Sequence, residues 1–250
     1  MLRIESLRKS FGGVVATNDV SIEFPKESLH AVIGPNGAGK TTFFNLISGA
    51  LQPDSGKVLL EVENIVGKSS AEIVRMGIGR AFQVAKLFKT LTVEESLRGA
   101  LASPLGQSLQ MTGRFPLENT RDRAHEVMEQ LGLAKKADVI SGNLSHGDQK
   151  LLDMALALVL RPKVLLLDEP VAGMGPEERE QMIDTVYGLW KKGGLTIVLI
   201  EHDMEIVFRI SQNIHVLSYG KLLAEGNAEE IRNNPAVIEA YLGTPREHRT

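Results

Sequence analysis

The chain has 250 residues, with 28 lysines and arginines against 31 aspartates and glutamates, a formal net charge of −3 and no cysteine. That balance gives no basic field for DNA or RNA, and the missing cysteine excludes a disulfide framework and Cys-based metal or nucleophile chemistry while fitting a reducing compartment. The start Met1-Leu2-Arg3-Ile4-Glu5 lacks the parts of a signal peptide, and stretches such as residues 164–167 and 195–200 are far shorter than the ~20 apolar residues of a membrane span. The expectation is one large α/β domain in the cytoplasm, reaching a membrane only through a partner.

Residues 2–11, 14–24 and 29–33 read as strands, the first two antiparallel, with Gly12-Gly13 and Pro25-Lys26-Glu27 as breaks. The third runs into Gly34-Pro35-Asn36-Gly37-Ala38-Gly39-Lys40-Thr41-Thr42, followed by a helical pattern over residues 42–50. This is P-loop spacing in its strand-loop-helix context, and it predicts binding of a nucleoside triphosphate. Gly37 and Gly39 carry no side chain to block a phosphate, so successive N–H groups can point inward while the helix N-terminus adds its dipole. Lys40 would reach the β/γ-phosphates, Thr41 would ligate Mg²⁺, and Thr42 would touch the α-phosphate region.

Residues 52–56 read as a turn into a strand over residues 57–62, giving a second antiparallel pair. A strand at Ile78 leads to Arg80-Ala81-Phe82-Gln83, where the Gln83 amide could reach Mg²⁺ or the attacking water. Residues 91–160 are helical in pattern, with a capped start at Thr92-Val93-Glu94-Glu95 and a one-face repeat of Ala124, Val127, Met128 and Leu131. Within them, residues 103–118, rich in Gly, Ser, Pro and Gln, read as a mobile loop. Leu144-Ser145-His146-Gly147-Asp148-Gln149-Lys150 opens a long apolar helix; Ser145 and Asp148 have capping-box spacing, and the Ser hydroxyl, the Gly and the exposed helix N–H groups also suit phosphate.

Strand patterns return at residues 163–167, 195–200 and 214–217, separated by helical patterns at 176–190 and 203–210, so the sheet is predicted to be parallel. Val164-Leu165-Leu166-Leu167-Asp168-Glu169-Pro170 is a Walker B pattern, with both acids at the strand end where α/β sheets place ligands. Asp168 would serve the Mg²⁺ shell and Glu169 would polarise the attacking water. His202, at the end of another strand, would sense the γ-phosphate. Tyr219-Gly220-Lys221 reads as a tight turn between strands, and residues 228–242 as short helices around Asn234-Pro235.

These five elements in this order resemble the nucleotide-binding subunit of ATP-binding cassette (ABC) transporters, over nearly the whole chain, with Leu144 to Asp148 in place of the LSGGQ signature. The resemblance implies a P-loop NTPase core over residues 1–90 and 161–250 with an antiparallel β subdomain, and an inserted helical subdomain over residues 91–160. It also implies two cassettes meeting head to tail, each P-loop completed by Ser145 and Gly147 of the other, with Phe11 stacking on adenine. His146 and Asp148 stand where the family usually has Gly and Gln, and Gly175 where the loop after Walker B commonly has Asp. Lys40, Glu169 and His202 are all kept, so ATP hydrolysis with Mg²⁺ is expected.

The segments Arg80-Ala81-Phe82-Gln83, Leu87-Phe88, Leu91-Thr92-Val93, Val171-Ala172-Gly173-Met174, Glu201-His202-Asp203-Met204 and Ala240-Tyr241-Leu242-Gly243 are similar to the branched-chain amino acid importer group. That implies a peripheral protein on the inner face of the cell membrane, working with integral permease subunits and, indirectly, a substrate-binding protein. Urea or amide importers and lipopolysaccharide-type exporters carry similar cassettes. From another class, a soluble non-transport cassette ATPase or a nucleotide-gated binding module stays open. The chain lacks the duplicated cassette of translation-type and the coiled-coil insertion of repair-type members, and a non-hydrolytic module would be expected to lose Glu169 or His202.

Overall fold

The computed structural model describes residues 1–83, 85, 87–102 and 120–242. In chain order its elements are β1 (Leu2–Phe11), β2 (Val14–Phe24), β3 (Leu29–Ile33), α1 (Lys40–Ile47), β4 (Ser55–Leu60), β5 (Glu63–Asn64), α2 (Ser70–Met76), β6 (Ile78–Ala81), α3 (Val93–Ala102), α4 (Arg121–Gln130), α5 (His146–Leu158), β7 (Val164–Asp168), α6 (Pro176–Lys191), β8 (Thr196–Ile200), α7 (Met204–Ile210), β9 (Asn213–Ser218), β10 (Lys221–Gly226), α8 (Ala228–Arg232) and α9 (Pro235–Leu242). They fall into two compact units, one of residues 1–73 with 196–250 and one of residues 74–195. The expected loop at residues 103–118 lies outside the described residues.

In the first unit, β1 alternates core and surface in its first half, burying Leu2, Ile4 and Leu7, as a strand with one wet face must. It pairs antiparallel with both β2 and β4, which gives the expected antiparallel sheet, ordered β2-β1-β4-β5. By contrast β3, Leu29-His30-Ala31-Val32-Ile33, is buried at every position. It lies between β8 and β9 and is parallel to both, and a strand covered on both faces needs an unbroken apolar run. β9 turns into β10 through Tyr219 and Gly220, both at positive φ, the geometry of a two-residue hairpin.

Helix α1 follows β3 and buries Phe43, Phe44, Leu46 and Ile47. It begins at Lys40 rather than at residue 42 because Gly39, with φ 98°, turns the chain sharply enough to be its N-cap. It ends at Ile47 with Ser48 as C-cap and Gly49 at φ 70°, a left-handed stop that L side chains resist.

In the second unit β6 and β7 run parallel, and helices α3, α4 and α5 lie between them in sequence. The Thr92 hydroxyl accepts the Glu95 N–H at 3.2 Å and the Glu95 carboxylate accepts the Thr92 N–H at 2.9 Å, a reciprocal cap that starts α3. Ser145 caps α5 by accepting the Asp148 N–H. The far end of α5 is satisfied by Arg123, which donates to the carbonyls of Leu158 and Val159. Buried Leu152, Met154, Ala155 and Leu158 then hold α5 in the core, each large side chain contributing roughly 1.5–3 kcal/mol.

Candidate nucleotide site

The phosphate loop in the first unit is shaped by backbone crowding. Gly34 has φ 152°, and a Cβ there would come within 2.1 Å of the Leu217 carbonyl oxygen on β9. Gly39 is as constrained, since its Cβ would meet the Ala16 carbonyl oxygen at 2.1 Å. Gly37 differs: φ is 80° but a Cβ would meet nothing within 4 Å, so its bare face opens outward. Gly37 and Gly39, expected to serve the same purpose, differ in the structure: Gly39 is required by packing and Gly37 leaves the loop face clear. The Ala38 N–H closes a turn on the Pro35 carbonyl at 3.1 Å, and Asn36 and Gly37 are exposed.

Lys40 is buried, and its Nζ donates to the carbonyls of Gly34 at 2.7 Å and Pro35 at 3.1 Å. An ammonium folded back over its own loop is held where an anion entering the loop would find it. Thr41 is exposed and Thr42 half-buried. Phe11, at the end of β1, is 47% exposed with the Lys9 Nζ 5.7 Å from its ring centroid. This is an aromatic face presented to solvent rather than a core residue. His202, just past β8, is also exposed; its N–H donates to the carboxylate of buried Glu201 at 3.1 Å, while Asp203 caps α7 through the Glu205 and Ile206 N–H groups.

In the second unit, Asp168 and Glu169 close β7. Glu169 sits at φ 50°, an uncommon conformation for a side-chain-bearing residue, and strain of this kind concentrates at functional sites. Its carboxylate accepts the Gln83 amide at 2.7 Å, so two residues expected to share one water lie side by side. The buried Lys150 ammonium donates to the Glu169 carbonyl at 2.8 Å, tying that strained peptide to α5. Asp168 forms a buried ion pair with Arg80 at 2.8 Å, and Asp153 accepts the Phe82 N–H at 2.6 Å. Arg80, Lys150 and Asp153 carry no motif of their own; the available signal was charge inside apolar stretches.

The signature segment forms a second cluster in this unit. Gly147 is buried, and the Glu178 carboxylate stands 3.4 Å from where its Cβ would lie. The Ser145 hydroxyl, on an exposed residue, donates to the Asp148 carboxylate at 2.7 Å, and Lys136 pairs with the same carboxylate. Burial by itself would raise the Asp148 carboxyl; the Lys136 and Ser145 hydrogen bonds outweigh it and hold the group below the usual carboxylate range. Ser145, Gly147, Asp148, Lys136, Met174 and Glu178 line part of a cavity of about 350 Å³.

A phosphate loop, a strained strand-end glutamate with a glutamine partner, and a serine-capped helix on an α/β scaffold define an ATP-binding cassette. The chain belongs to the ABC transporter family, whose model matches residues 17–172. A model for the branched-chain amino acid ATP-binding cassette transporter matches residues 221–247. The chain is 41% identical over 249 residues to the high-affinity branched-chain amino acid transport ATP-binding protein LivG of Escherichia coli (strain K12), covering 97% of this chain and 98% of LivG. It is 38% identical over 250 residues to BraF of Pseudomonas aeruginosa, a protein of the same description, covering 97% and 98%. The fold superposes on a nucleotide-free ATP-binding cassette from an ABC transporter with TM-score 0.86 and 35% identity, covering 97% of this chain and 99% of that one. The ADP conformation of such a cassette aligns at TM-score 0.85 and 33% identity, covering 97% and 98%.

Proposed function

We propose that this chain is the ATP-hydrolysing subunit of an importer for branched-chain amino acids, with closure of a cassette dimer driving a separate permease. The observation that carries the chemistry is the Gln83–Glu169 pair at φ-strained Glu169, alongside a phosphate loop with its lysine in place. The cargo rests on the relatives, LivG and BraF, and on the match over residues 221–247.

In this reading Gly34, Pro35, Asn36, Gly37, Ala38 and Gly39 wrap the phosphates with backbone N–H groups, Lys40 leaves its loop carbonyls for the β/γ-phosphates, and Phe11 stacks on adenine. Thr42 supports the α-phosphate. Thr41, Gln83 and Asp168 would hold Mg²⁺, which neutralises phosphate charge when bound. The donors suit it in kind, since all three offer oxygen, and Asp168 would have to share its carboxylate between the metal and Arg80, with which it is paired at 2.8 Å. Glu169 takes the proton of the attacking water, oriented by Gln83, and His202 reads the γ-phosphate. Ser145 and Gly147 of a second cassette complete each site head to tail. Residues 91–160 would contact the permease, the substrate-binding protein acting on its far side, and the chain would sit on the inner face of the membrane.

Glu169→Gln tests this. It keeps size and hydrogen bonding but removes the base, so turnover should fall at least ~100-fold while ATP-bound dimer accumulates on size exclusion. A variant that hydrolyses ATP as fast as the parent sinks the assignment. Loss of leucine uptake in cells carrying only this variant, with urea uptake unchanged, checks the cargo.

A further inference from the structure

Strands β6 and β7 lead to the two halves of the hydrolytic pair, and their ladder stops short of both. The last paired residues are Ala81 and Leu167. Continuing that register by two residues sets Gln83 opposite Glu169, where the amide meets the carboxylate at 2.7 Å. Past the end of the ladder, one face of α5 takes over the backbones. Gly147, Lys150, Asp153 and Ala157 recur at helical spacing and share that face. Asp153 accepts the Phe82 N–H at 2.6 Å, one residue before Gln83. Lys150 donates to the Glu169 carbonyl at 2.8 Å, and the same carbonyl accepts the Ala172 N–H at 3.2 Å, closing the turn through Pro170. Ala157 lies so close to β6 that a Cβ on Gly79 would stand 3.2 Å from its carbonyl oxygen. Lys150 and Asp153 are both buried and opposite in charge, so together they bring no net charge into the core.

We propose that Lys150 and Asp153 are positioning residues for ATP hydrolysis: from one face of the signature helix α5 they fix the backbones of Glu169 and Phe82, and so hold the Glu169 carboxylate against the Gln83 amide. This rests on the reading of Glu169 as the base for the attacking water. Glu169 needs such a hold because its φ of 50° is one that a side-chain-bearing residue leaves when unrestrained. An ammonium suits the task, since it bonds a carbonyl more strongly than a neutral donor does. With Lys150 gone, the Glu169 peptide turns toward an ordinary conformation and its carboxylate swings away from Gln83. A shift of about 1 Å is enough to cost ~100-fold in a step that depends on near-attack geometry. The phosphate loop, which belongs to the other compact unit, keeps its affinity for ADP. Helix α5 also opens with Ser145 and Gly147, so the element offered to a second cassette is the one that sets the hydrolytic pair of its own chain.

Lys150→Met removes the ammonium and keeps the stem. In the full chain, kcat with Mg-ATP should fall about 10- to 100-fold, the range for losing a hydrogen bond to a charged group in the transition state. KM and the calorimetric Kd for ADP should stay within about twofold of the parent. Lys150→Arg restores a cationic donor and should recover kcat to within about threefold. In the Glu169→Gln background, Lys150→Met should slow single-turnover hydrolysis by less than about twofold, because residues that act as a unit are not additive. A Lys150→Met kcat equal to the parent's overturns the proposal. So does an equal further loss in the Glu169→Gln background, which assigns Lys150 to the fold at large. If Glu169→Gln itself hydrolyses ATP at the parent's rate, the base reading falls and this proposal with it, a failure distinct from the other two. Should the buried charge of Asp153 keep Lys150→Met from folding, Lys150→Met/Asp153→Asn removes both charges, leaves an acceptor for the Phe82 N–H and is read by the same measurements.

Discussion

Asp148 replaces an uncharged residue of the family pattern, and the structure shows what that does to its neighbour. The Ser145 hydroxyl has one hydrogen to give, and it goes to the Asp148 carboxylate, which also holds Lys136. Serving a phosphate requires that hydroxyl to be released, against a charged acceptor worth more than a neutral one. A carboxylate beside an incoming triphosphate adds repulsion. Asp148→Gln removes the repulsion and leaves the hydroxyl at most a neutral acceptor. KM for ATP should fall about 3- to 10-fold, as expected for weakening a charge-assisted hydrogen bond, and the lost Lys136 pair, being partly exposed, should lower stability by less than ~1 kcal/mol. Steady-state kinetics with a melting curve checks both, and an unchanged or higher KM would show that Asp148 does not restrain Ser145.

Between elements, β3 and β9 are joined by more than backbone hydrogen bonds. His30 Nδ1 and His215 Nε2 lie 3.0 Å apart with stacked rings, and Phe24 packs edge-on against both. Burial lowers His30 to about 4; burial, and then its neighbour His30, lowers His215 to about 3. Exposed Glu225, 3.4 Å from His215 Nδ1, is too well solvated to offset this. The folded state therefore binds fewer protons than the unfolded chain wherever free histidine, pKa about 6.5, begins to charge. The stability is fully present above about pH 6.5 and is lost as pH falls toward about 4. At pH 5 the loss should be about 2–4 kcal/mol relative to pH 7.5, from roughly 1.36 kcal/mol per unit and per group. A His30→Leu/His215→Leu chain should show a much flatter profile over this window in denaturant titrations; an equally steep profile would place the acid sensitivity elsewhere. None of this coupling is legible in sequence, where His30 and His215 are merely two histidines in apolar strands. Strands β1, β2 and β3 have the bounds their sequence predicts, because Gly12-Gly13 and Pro25 interrupt a clean apolar pattern. Strand β4 begins two residues before the expected 57, because Asp54, which accepts the Ser10 N–H at 2.7 Å and Lys9 at 2.8 Å, starts the pairing at Ser55. The same divide runs through the candidate site. Lys40, Glu169 and Ser145 stand at fixed spacings along the chain, whereas Arg80 against Asp168 and Lys150 against the Glu169 carbonyl are pairs that only folding brings together.

For the whole molecule the question is what brings an ATPase of this kind to a membrane. Among the described residues no helix is long and apolar enough to cross one. A net charge of −3 gives no general attraction to anionic lipid, which recruits clusters of lysine and arginine. Under the proposed function, membrane residence comes from contacts with the permease. Expressed without a permease, the chain should stay in the supernatant after high-speed centrifugation and should not sediment with vesicles of phosphatidylglycerol and phosphatidylethanolamine. Expressed with its permease it should move to the membrane fraction, and the Glu169→Gln form solubilised with Mg-ATP should carry multi-span proteins with it. The nucleotide dependence separates a working clamp from a passive anchor: ATP should hold two cassettes together on the permease, and ADP should let them part while each stays attached. Sedimentation of the isolated chain with permease-free vesicles would overturn this account, because an acidic cassette binding lipid directly would need a membrane-contacting surface of its own.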